Sequence, residues 1–450
     1  MVKISKHGQW SSRLAFVFAA TGSAVGLGNI WKFPYITGEN GGGAFVLVYL
    51  LCIFLIGVPI MMAEVLLGRR GRQSPINTMR ELAKDAGAQV YWSWLGWLGV
   101  VAGFLILSYY SVIAGWSIAY VVRVASGVFE GATADGVNSI FGQFIADPEK
   151  LLGWHSLFMI MTMLVVARGV KGLERAVRFL MPTLLVLLLL LVGYAMKQGT
   201  FEDAVSFLFS ADFSKVNSDS VLTAMGHAFF TLSLGMGAIM VYGSYLPSNV
   251  SISSTTIIIA LADTAVALLA GLAIFPLVFA NGLEPGSGPG LIFQTLPIAF
   301  GHMAYGAFFG GLFFLLLVFA AWSSSISLIE PAVAWLVENK NMSRMRACIW
   351  SGLAAWVLGI GTVLSFNVTA EVTLFGMTFF DLMDYLTANI LLPLGGLCIA
   401  VFVGWVMKRD DSAAELNIKR AALYTGWRFL LRYISPAAVI IVFLNVIGII

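Results

Sequence analysis

Two apolar stretches of this sequence are each interrupted by a pair of closely spaced glycines, Gly26 with Gly28 and Gly235 with Gly237. A glycine weakens a helix by about 1 kcal/mol, so two so close together can let the backbone unwind and leave its carbonyls and amides in need of partners. Asn29 adds an amide oxygen beside the first pair. Oxygen-rich surroundings of this kind suit a small hard cation such as Na⁺. The alternative is close helix packing through small residues, which is common in membranes.

Polar side chains in other apolar stretches would complete such a site. Asp263 lies in a largely apolar stretch from residue 257 to 279, where an ionised side chain costs several kcal/mol unless it is paired or hydrated. We therefore predict that Asp263 serves the cation site, the alternative being a neutral acid bonded to a nearby hydroxyl. The candidate hydroxyls are those of Thr231, Ser233, Ser323, Ser324 and Ser325. Singly, such hydroxyls are more often bonded to their own helix, but as a group flanking two breaks they indicate ligands.

The composition indicates that membrane helices hold these residues. Of the 450 residues, 59% are hydrophobic and 11% are charged, against roughly 25% charged in soluble domains. Together with a net charge of only +3, this excludes a soluble enzyme, a disordered chain and a basic nucleic-acid-binding protein. Apolar segments long enough to cross a membrane predict an all-α polytopic membrane protein of eleven spans: approximately 14–37, 44–68, 90–122, 152–167, 177–196, 222–246, 254–280, 306–337, 347–366, 376–407 and 433–450.

Basic residues predict the orientation, because they are enriched in the cytoplasmic loops of membrane proteins. With the amino terminus inside, most of the 26 Lys and Arg residues fall on the cytoplasmic side, beginning with Lys3 and Lys6. Those left over are Lys32, Arg123, Lys150, Lys197 and Lys215. Eleven spans then put the carboxyl terminus outside.

The two glycine pairs fall in the first and sixth spans, the matched first members of two five-span halves. We expect one transporter domain over residues 1–450, with repeats at approximately 10–197 and 220–407 and an extra helix at approximately 433–450. An odd repeat length inverts the second half relative to the first. Interrupted helices at corresponding positions of inverted repeats indicate a binding site near the middle of the membrane.

Long ordered motifs surround these residues, at positions 22–29, 39–45, 229–235, 323–325 and 381–384, with Phe33-Pro34 and Tyr109-Tyr110. In these motifs the chain resembles the neurotransmitter:sodium symporters, specifically their bacterial amino-acid-transporting branch. The resemblance covers nearly the whole chain and is strongest from Trp10 to Gly71. The absence of a twelfth predicted span fits several bacterial members and favours the branch that carries multiple hydrophobic amino acids. The resemblance also implies that the protein lies in the plasma membrane of a bacterium.

The resemblance implies two sodium sites. The first would use Ala24, Asn29, Thr231 and Asp263 with the substrate carboxylate. The second would use the carbonyls of Gly22, Val25 and Ala320 with the hydroxyls of Ser323 and Ser324. Both ions are co-transported, and no organic cofactor is expected.

A substrate site between them is implied as well. The substrate carboxylate would meet sodium, the Tyr110 hydroxyl and amides near Gly26 and Gly28, and the amino group would face Ala24, Phe230 and Ser233. Thr231 is expected among the substrate-binding residues as well. The apolar lining is expected from Ile106, Tyr110, Phe230, Met236 and Leu328, with Ser324 nearby. Because this lining offers no carboxylate for an amine side chain, we expect neutral, hydrophobic L-amino acids.

Gates are implied at both ends of this site. Phe230 and Tyr110 would form a thin outer lid, with Lys32 and Asp384 beyond it, although these two could also merely reach the membrane surface. The cytoplasmic gate would use Trp10, Ser244, Tyr245 and Glu338. Gly172 and Pro182 bracket a segment of the fifth span that family members with this spacing can unwind, and both residue types weaken a helix.

Three departures from the family pattern affect these expectations. The basic partner of Glu338 is replaced by His7, with Lys6 adjacent, so the inner ion pair is in doubt. Lys32 stands where arginine is usual and loses bidentate geometry. Asp263 occupies an asparagine position, and Ala267 a position where chloride-dependent relatives have serine. A fixed carboxylate could replace chloride, so we expect chloride-independent transport.

The sequence therefore predicts a sodium-coupled symporter that works by alternating access and is not an enzyme. Its expected partners are an L-amino acid and the lipid bilayer, with no nucleic acid. A channel and an amino-acid-sensing receptor with transporter ancestry remain as alternatives. The preferred amino acid, the sodium stoichiometry, any proton antiport and the oligomeric state stay open at this point.

Overall fold

The computed structural model describes residues 5–285 and 290–446, which form a bundle of long helices. In these ranges nine helices are long and apolar enough to cross a membrane, and a tenth span is a helix pair bent by 51°. An eleventh is the discontinuous pair Ser218–Thr231 and Ala238–Ser244. We number the spans in chain order: α1 (Arg13–Ala24 and Gly28–Glu39), α2 (Gly43–Gly71), α3 (Val90–Ala125), α4 (Pro148–Val166), α5 (Gly169–Gln198), α6 (Ser218–Thr231 and Ala238–Ser244), α7 (Ile252–Ala280), α8 (Gly306–Asn339), α9 (Arg344–Ser365), α10 (Phe379–Val406) and α11 (Ala421–Asn445).

Shorter helices lie between the spans. They are Pro75–Asp85, Ala134–Ile145, Phe201–Phe209, Leu291–His302 and Arg409–Leu416. Polar caps mark several helix starts, because the first amides of a helix have no partner within it. The side chain of Ser12 accepts from the Ala15 amide at the start of α1, and capping boxes at Asn217 and Thr378 begin α6 and α10.

The last span differs most from its predicted bounds. It begins at Ala421 instead of near residue 433, so Arg428 and Arg432 lie inside the helix and not in the loop before it. These charges are accommodated because Arg428 donates to the Gly404 carbonyl at 3.1 Å and the Arg432 guanidinium stacks 3.9 Å from the Trp405 ring centroid. The end of the predicted span, at 447–450, lies outside the described residues, as does Lys3.

The breaks in α1 and α6 lie where the glycine pairs predict them. In α6, Ser233, Gly235 and Gly237 all have positive φ angles (55°, 77° and 73°), which end the helix after Thr231. At Gly235 a side chain would also collide with α10, since its Cβ would lie 2.5 Å from the Leu392 carbonyl oxygen. The Gly235 amide donates to Glu64 Oε2 at 3.2 Å, which gives the broken backbone a buried partner.

Helices α3 and α8 line the middle of the bundle and approach the break in α6 closely. A Cβ at Gly99 would lie 2.9 Å from the Gly237 amide nitrogen, and one at Gly103 would lie 2.9 Å from the Leu328 carbonyl oxygen. The small residues of α3 therefore let the irregular backbone sit in the bundle interior, where other protein groups can satisfy it. The repeat bounds at 10–197 and 220–407 stay a prediction.

Candidate functional site

The break in α1 leaves two helix ends facing each other in the bundle. The first half ends at Ala24 and the second begins at Gly28. The last carbonyls of a helix have no partner within it and carry partial negative charge, which favours a cation. The first amides of the second half carry partial positive charge, which favours an anion such as a carboxylate. The break thus offers groups for both an ion and a carboxylate-bearing substrate.

Three buried side chains meet beside this break, and we call Asn29, Thr231 and Asp263 the first oxygen cluster. Asn29 Nδ2 donates to Asp263 Oδ1 at 2.7 Å, and the Thr231 hydroxyl donates to both carboxylate oxygens at 3.1 and 3.2 Å. Asn29 Oδ1 accepts from the Gly26 amide at 3.0 Å. The three residues come from α1, α6 and α7, so Asp263 is partnered by both broken helices. Ala24, predicted for the same site, is buried at the end of the first half of α1.

A second group of oxygens lies where α8 meets the first half of α1. We call the carbonyls of Gly22, Val25 and Ala320 with the hydroxyls of Ser323 and Ser324 the second oxygen cluster. Ser324 Oγ lies 3.3 Å from the Gly22 carbonyl and 3.1 Å from that of Val25, and Ser323 Oγ lies 3.0 Å from the Ala320 carbonyl. A Cβ at Gly22 would be 3.2 Å from Ser323 Cβ, so α1 and α8 are in close contact at this cluster.

The donor set of both clusters fits a hard monovalent cation. The second oxygen cluster holds neutral oxygens, and the first holds neutral oxygens with one carboxylate. Within residues 5–285 and 290–446 there is no group of three or more His, Cys, Asp or Glu side chains placed to hold a metal ion. The hydrogen bonds within each cluster bring together Asn29, Thr231 and Asp263 in the first and the α1 and α8 residues of the second, with oxygen ligands of the kind hard cations prefer.

Tyr110 lies over the gap in α1. Its hydroxyl accepts from the Leu27 amide at 3.0 Å. A Cβ at Gly26 would lie 2.7 Å from that hydroxyl and 2.5 Å from Ser324 Oγ. One at Gly28 would lie 3.1 Å from two carbon atoms of the Phe230 ring. The absent side chains thus leave room for a small anionic group beside this segment, where the Gly26 and Leu27 amides donate to Asn29 Oδ1 and to the Tyr110 hydroxyl.

Above this gap lies a cavity of about 160 Å³ between α1, α3, α6 and α10. Gly28, Tyr110 and Phe230 line it, as the substrate prediction expects, and so do Lys32 and Asp384. Four other residues predicted to contact the substrate do not line this cavity and are buried on α3, in the break of α6 and on α8: Ile106, Ser233, Met236 and Leu328. Ser233 Oγ donates to the Ser23 carbonyl at 2.8 Å, which ties the break of α6 to that of α1.

The predicted outer gate pair is not closed. The Lys32 ammonium lies 5.1 Å from the Phe230 ring centroid, while Asp384 accepts from the Tyr109 hydroxyl at 3.1 Å. In the part of the chain that the structure describes, no ion pair joins Lys32 to Asp384. Both side chains instead line the wall of the cavity that leads to the gap in α1.

The opposite end, which we call the inner end, is tightly bonded. His7 Nε2 lies 3.0 Å from Glu338 Oε1, and Glu338 also accepts from the Ser74 hydroxyl at 2.5 Å and from Asn77 Nδ2 at 2.8 Å. Lys6 is exposed, so His7 is the basic side chain that meets Glu338.

Trp10 joins this end to α6. Its indole nitrogen donates to the Tyr242 carbonyl and its amide to the Tyr245 carbonyl, both at 3.0 Å. Ser244 differs from the other predicted gate residues, because its hydroxyl donates at 2.7 Å to the Val241 carbonyl of its own helix. The Ser244 backbone carbonyl accepts from Arg72 at 3.4 Å.

Two basic residues of the inner end were not predicted from the sequence. Arg344 pairs with Glu330, which also accepts from the Tyr245 hydroxyl at 2.7 Å. Arg72 donates to the Leu246 carbonyl, and burial lowers the pKa of its guanidinium. Neither residue stands in a recognisable motif. Arg72 follows the last residue of α2 and has a left-handed backbone (φ 60°), which aims its side chain at α6.

The segment between Gly172 and Pro182 is helical throughout. Pro182 lies inside the continuous helix α5, and Gly172 lies in its first turn. The segment is wound in this structure, so the unwinding expected of it stays a prediction.

Comparisons with known proteins agree with this arrangement. The model of the sodium:neurotransmitter symporter family matches residues 7–130 and 145–449. The chain is 42% identical over 446 residues to the sodium-dependent transporter YhdH of Bacillus subtilis (strain 168), with 98% of each chain covered. It is 36% identical over 448 residues to a sodium-dependent transporter of Haemophilus influenzae, with 97% of each covered. The crystal structure of MhsT in complex with L-phenylalanine matches with a TM-score of 0.90 and 46% identity, covering 98% of this chain and 99% of that one.

Proposed function

This chain belongs to the sodium:neurotransmitter symporter family, and from that premise we propose that it imports neutral hydrophobic L-amino acids together with two Na⁺ ions. It is a multi-pass membrane transporter and not an enzyme. The bundle of described spans, with α1 and α6 broken beside each other, is the architecture that such transport requires.

The observation that carries the proposal is the convergence of two oxygen clusters on the break in α1. Each takes backbone or side-chain oxygens from α1 and from at least one other helix. An ion held between helices binds well only when those helices adopt one arrangement. Sodium binding can therefore select one conformation of the transporter, and coupling requires such differential binding.

An amino acid fits the gap between the two clusters. Its carboxylate would meet the amides near Gly26 and Gly28, the Tyr110 hydroxyl and the first sodium ion. Its side chain would reach the buried apolar residues Ile106 and Met236. The flexible thioether of Met236 can repack around different shapes, which supports aromatic as well as aliphatic substrates. The complex of MhsT with L-phenylalanine supports the same substrate class.

Alternating access is the mechanism that the two ends favour. The inner end is closed by His7 and Glu338, and the outer pair of Lys32 and Asp384 is apart, so this arrangement belongs to an outward-facing state. Two Na⁺ ions crossing 100 mV supply roughly 4.6 kcal/mol. At about 1.4 kcal/mol per tenfold, this supports roughly a 10³-fold substrate gradient. We propose that the inner end faces the cytoplasm of a bacterium.

Chloride independence is part of the proposal. The Asp263 carboxyl group accepts hydrogen bonds from Asn29 and Thr231, so in its ionised form it supplies a negative charge beside the first sodium ion. A mobile anion would have no further role there. Ala267, one helical turn away on α7, is fully buried and has no hydroxyl to offer to such an anion.

The deciding experiment uses purified protein in proteoliposomes with an imposed sodium gradient. All twenty amino acids compete against one labelled hydrophobic amino acid, with sodium and with choline in its place. We expect strong competition from aliphatic and aromatic amino acids and little from charged ones, with accumulation only in sodium. Binding without accumulation would instead indicate a sensor, and substrate currents that do not saturate would indicate a channel.

A further inference from the structure

A cavity of about 350 Å³ lies between the first turns of α11 and the short helix Arg409–Leu416. We call it the arginine pocket, because the side chains of Arg409, Arg428 and Arg432 line it together with tyrosine, threonine and phenylalanine. Among the described residues that line it there is no Asp or Glu. The pocket therefore concentrates positive charge, which favours an anion.

Arg428 is held in the pocket by uncharged oxygens. Its guanidinium donates to the Ser412 hydroxyl at 3.1 Å and to the Tyr424 hydroxyl at 3.3 Å. It also donates to the Gly404 carbonyl at the end of α10, at 3.1 Å. These bonds fix the position of the guanidinium without bringing a negative charge to it.

Arg432 is held by aromatic rings. Its guanidinium lies 3.9 Å from the Trp405 ring centroid and 5.7 Å from that of Tyr433, an arrangement that is favourable for a cation. Its Nε is buried and has no hydrogen-bond partner in the part of the chain that the structure describes. The stacking thus places a guanidinium that still has donors to offer.

The carboxylates nearest in sequence are engaged elsewhere. On the short helix, Asp411 pairs with Arg70 at 2.7 Å and Glu415 pairs with Arg69, which ties this helix to the inner end of α2. Asp410 is exposed and does not line the pocket. The described chain therefore leaves the positive charge of the arginine pocket without a neutralising partner.

The pocket lies at the border between the polar and the apolar part of α11. No charged residue follows Arg432 in the chain. Trp405, Phe429 and Tyr433 are exposed around it, and tryptophan and tyrosine are enriched at the level of the lipid headgroups. The three guanidiniums therefore stand where phospholipid phosphates lie, in the leaflet at the inner end.

We propose that the arginine pocket binds the phosphate group of an anionic phospholipid from this leaflet. The planar guanidinium offers paired donors that match the oxygens of a phosphate, and basic pockets of this kind between membrane helices bind anionic headgroups. The acyl chains would lie along the exposed rings of Trp405 and Phe429. A lipid with a choline headgroup binds less well, because its ammonium adds a positive charge beside three others. This site is independent of the sodium and substrate sites of the proposed function.

The first test compares lipids that differ only in headgroup charge. The purified full-length protein in a non-ionic detergent is freed of endogenous lipid and titrated with dioctanoyl phosphatidylglycerol or with dioctanoyl phosphatidylcholine. Native mass spectrometry measures the bound lipid. We expect at least fivefold tighter binding of phosphatidylglycerol, accompanied by a higher melting temperature, because the phosphate bridges α11 and the short helix. Equal affinities for the two lipids would overturn the proposal.

The second test locates the bound lipid. Arg432→Gln and Arg409→Gln should each weaken binding of phosphatidylglycerol several-fold, whereas Arg432→Lys, which keeps the charge but loses the planar fork, should fall between. Arg420→Gln is the matched control, because Arg420 is exposed in the same loop and does not line the pocket. A loss in Arg420→Gln as large as in Arg432→Gln would show that only the general surface charge matters, and the pocket would be excluded.

The same titration separates the lipid from free phosphate. Inorganic phosphate at millimolar concentration should displace little phosphatidylglycerol, since it lacks the acyl chains. Complete displacement would assign the arginine pocket to free phosphate and overturn the lipid as its occupant. Arg409→Gln also answers for folding, because Arg409 is exposed and no hydrogen bond of its guanidinium is lost with it among the described residues. Its binding of phosphatidylcholine should equal that of the unchanged protein.

Discussion

His7 and Glu338 meet at the inner end of the bundle, with Nε2 of the imidazole 3.0 Å from Oε1 of the carboxylate. The contact joins the amino-terminal segment to the last turns of α8, positions 331 residues apart. Glu338 also accepts hydrogen bonds from the Ser74 hydroxyl and from Asn77 Nδ2. Ser74 precedes the short helix Pro75–Asp85 that follows α2, and Asn77 lies in the first turn of that helix. A single carboxylate on α8 therefore binds two other segments of the chain, and it keeps the inner end shut while Lys32 and Asp384 remain apart at the other end.

Removing this contact should shift the protein towards an inward-open state. We expect His7→Ala and Glu338→Gln each to reduce the rate of uptake several-fold, because the closed inner end loses a bond that forms only in that state. His7→Arg should retain uptake, since a guanidinium can pair with the carboxylate in two places. Lys6→Ala is the matched control, because Lys6 is exposed and should be neutral. A loss of uptake in Lys6→Ala equal to that in His7→Ala would contradict the assignment of His7.

Gly26 should tolerate no side chain. The methyl group of Gly26→Ala would lie 2.5 Å from Ser324 Oγ and 2.7 Å from the Tyr110 hydroxyl, so it would occupy the space proposed for the substrate carboxylate. We expect loss of substrate binding, measured with a labelled hydrophobic amino acid. Gly193→Ala is the control, because nothing lies within 4 Å of its added Cβ. That change should preserve binding and stabilise α5 by up to about 1 kcal/mol, which a thermal-shift measurement can detect.

The serine run on α8 offers a direct test of the second oxygen cluster. Ser324→Ala removes a hydroxyl that lies near the Gly22 and Val25 carbonyls. We expect it to raise the sodium concentration for half-maximal binding about tenfold, equivalent to about 1.4 kcal/mol. Ser325→Ala is the matched control, since its hydroxyl donates to the Trp322 carbonyl and meets Thr162. Equal effects of the two changes would indicate a packing role for both hydroxyls.

Chloride should have no effect on transport by the unchanged protein. Uptake in gluconate and chloride buffers is expected to be equal, because Asp263 supplies the negative charge beside the first sodium site. Asp263→Asn should lower uptake at least tenfold in both buffers. Adding Ala267→Ser to Asp263→Asn should restore part of the uptake in chloride only. A several-fold loss of uptake by the unchanged protein in gluconate would exclude chloride independence.

The prediction of the spans succeeded because it depends on local composition. Apolar length alone places the membrane helices, and glycine pairs alone place the breaks in α1 and α6. The start of α11 was wrong by about twelve residues, because Arg428 and Arg432 read as loop residues. Their charges are satisfied by Gly404 and Trp405 of α10. A short stretch of sequence around each arginine does not contain these partners, so it cannot predict them.

The clusters around the breaks were predictable to a similar degree. The residue types of Asn29, Thr231 and Asp263 already suggest oxygen ligands, and the family resemblance groups them. Arg72 and the pair of Arg344 with Glu330 were not predicted. Arg72 and Arg344 lie at helix ends, whereas Glu330 is buried inside α8. The partner of each is set by how the helices pack.

Residue types and near neighbours already specify that this protein spans a membrane, where its helices break and which oxygens are available there. Which side chains meet depends on the tertiary structure. It selected His7 over Lys6 for Glu338, kept Lys32 apart from Asp384, and brought Arg72 to the Leu246 carbonyl. These contacts join residues far apart in the chain, so they depend on the positions of whole helices, which no short stretch of sequence can specify.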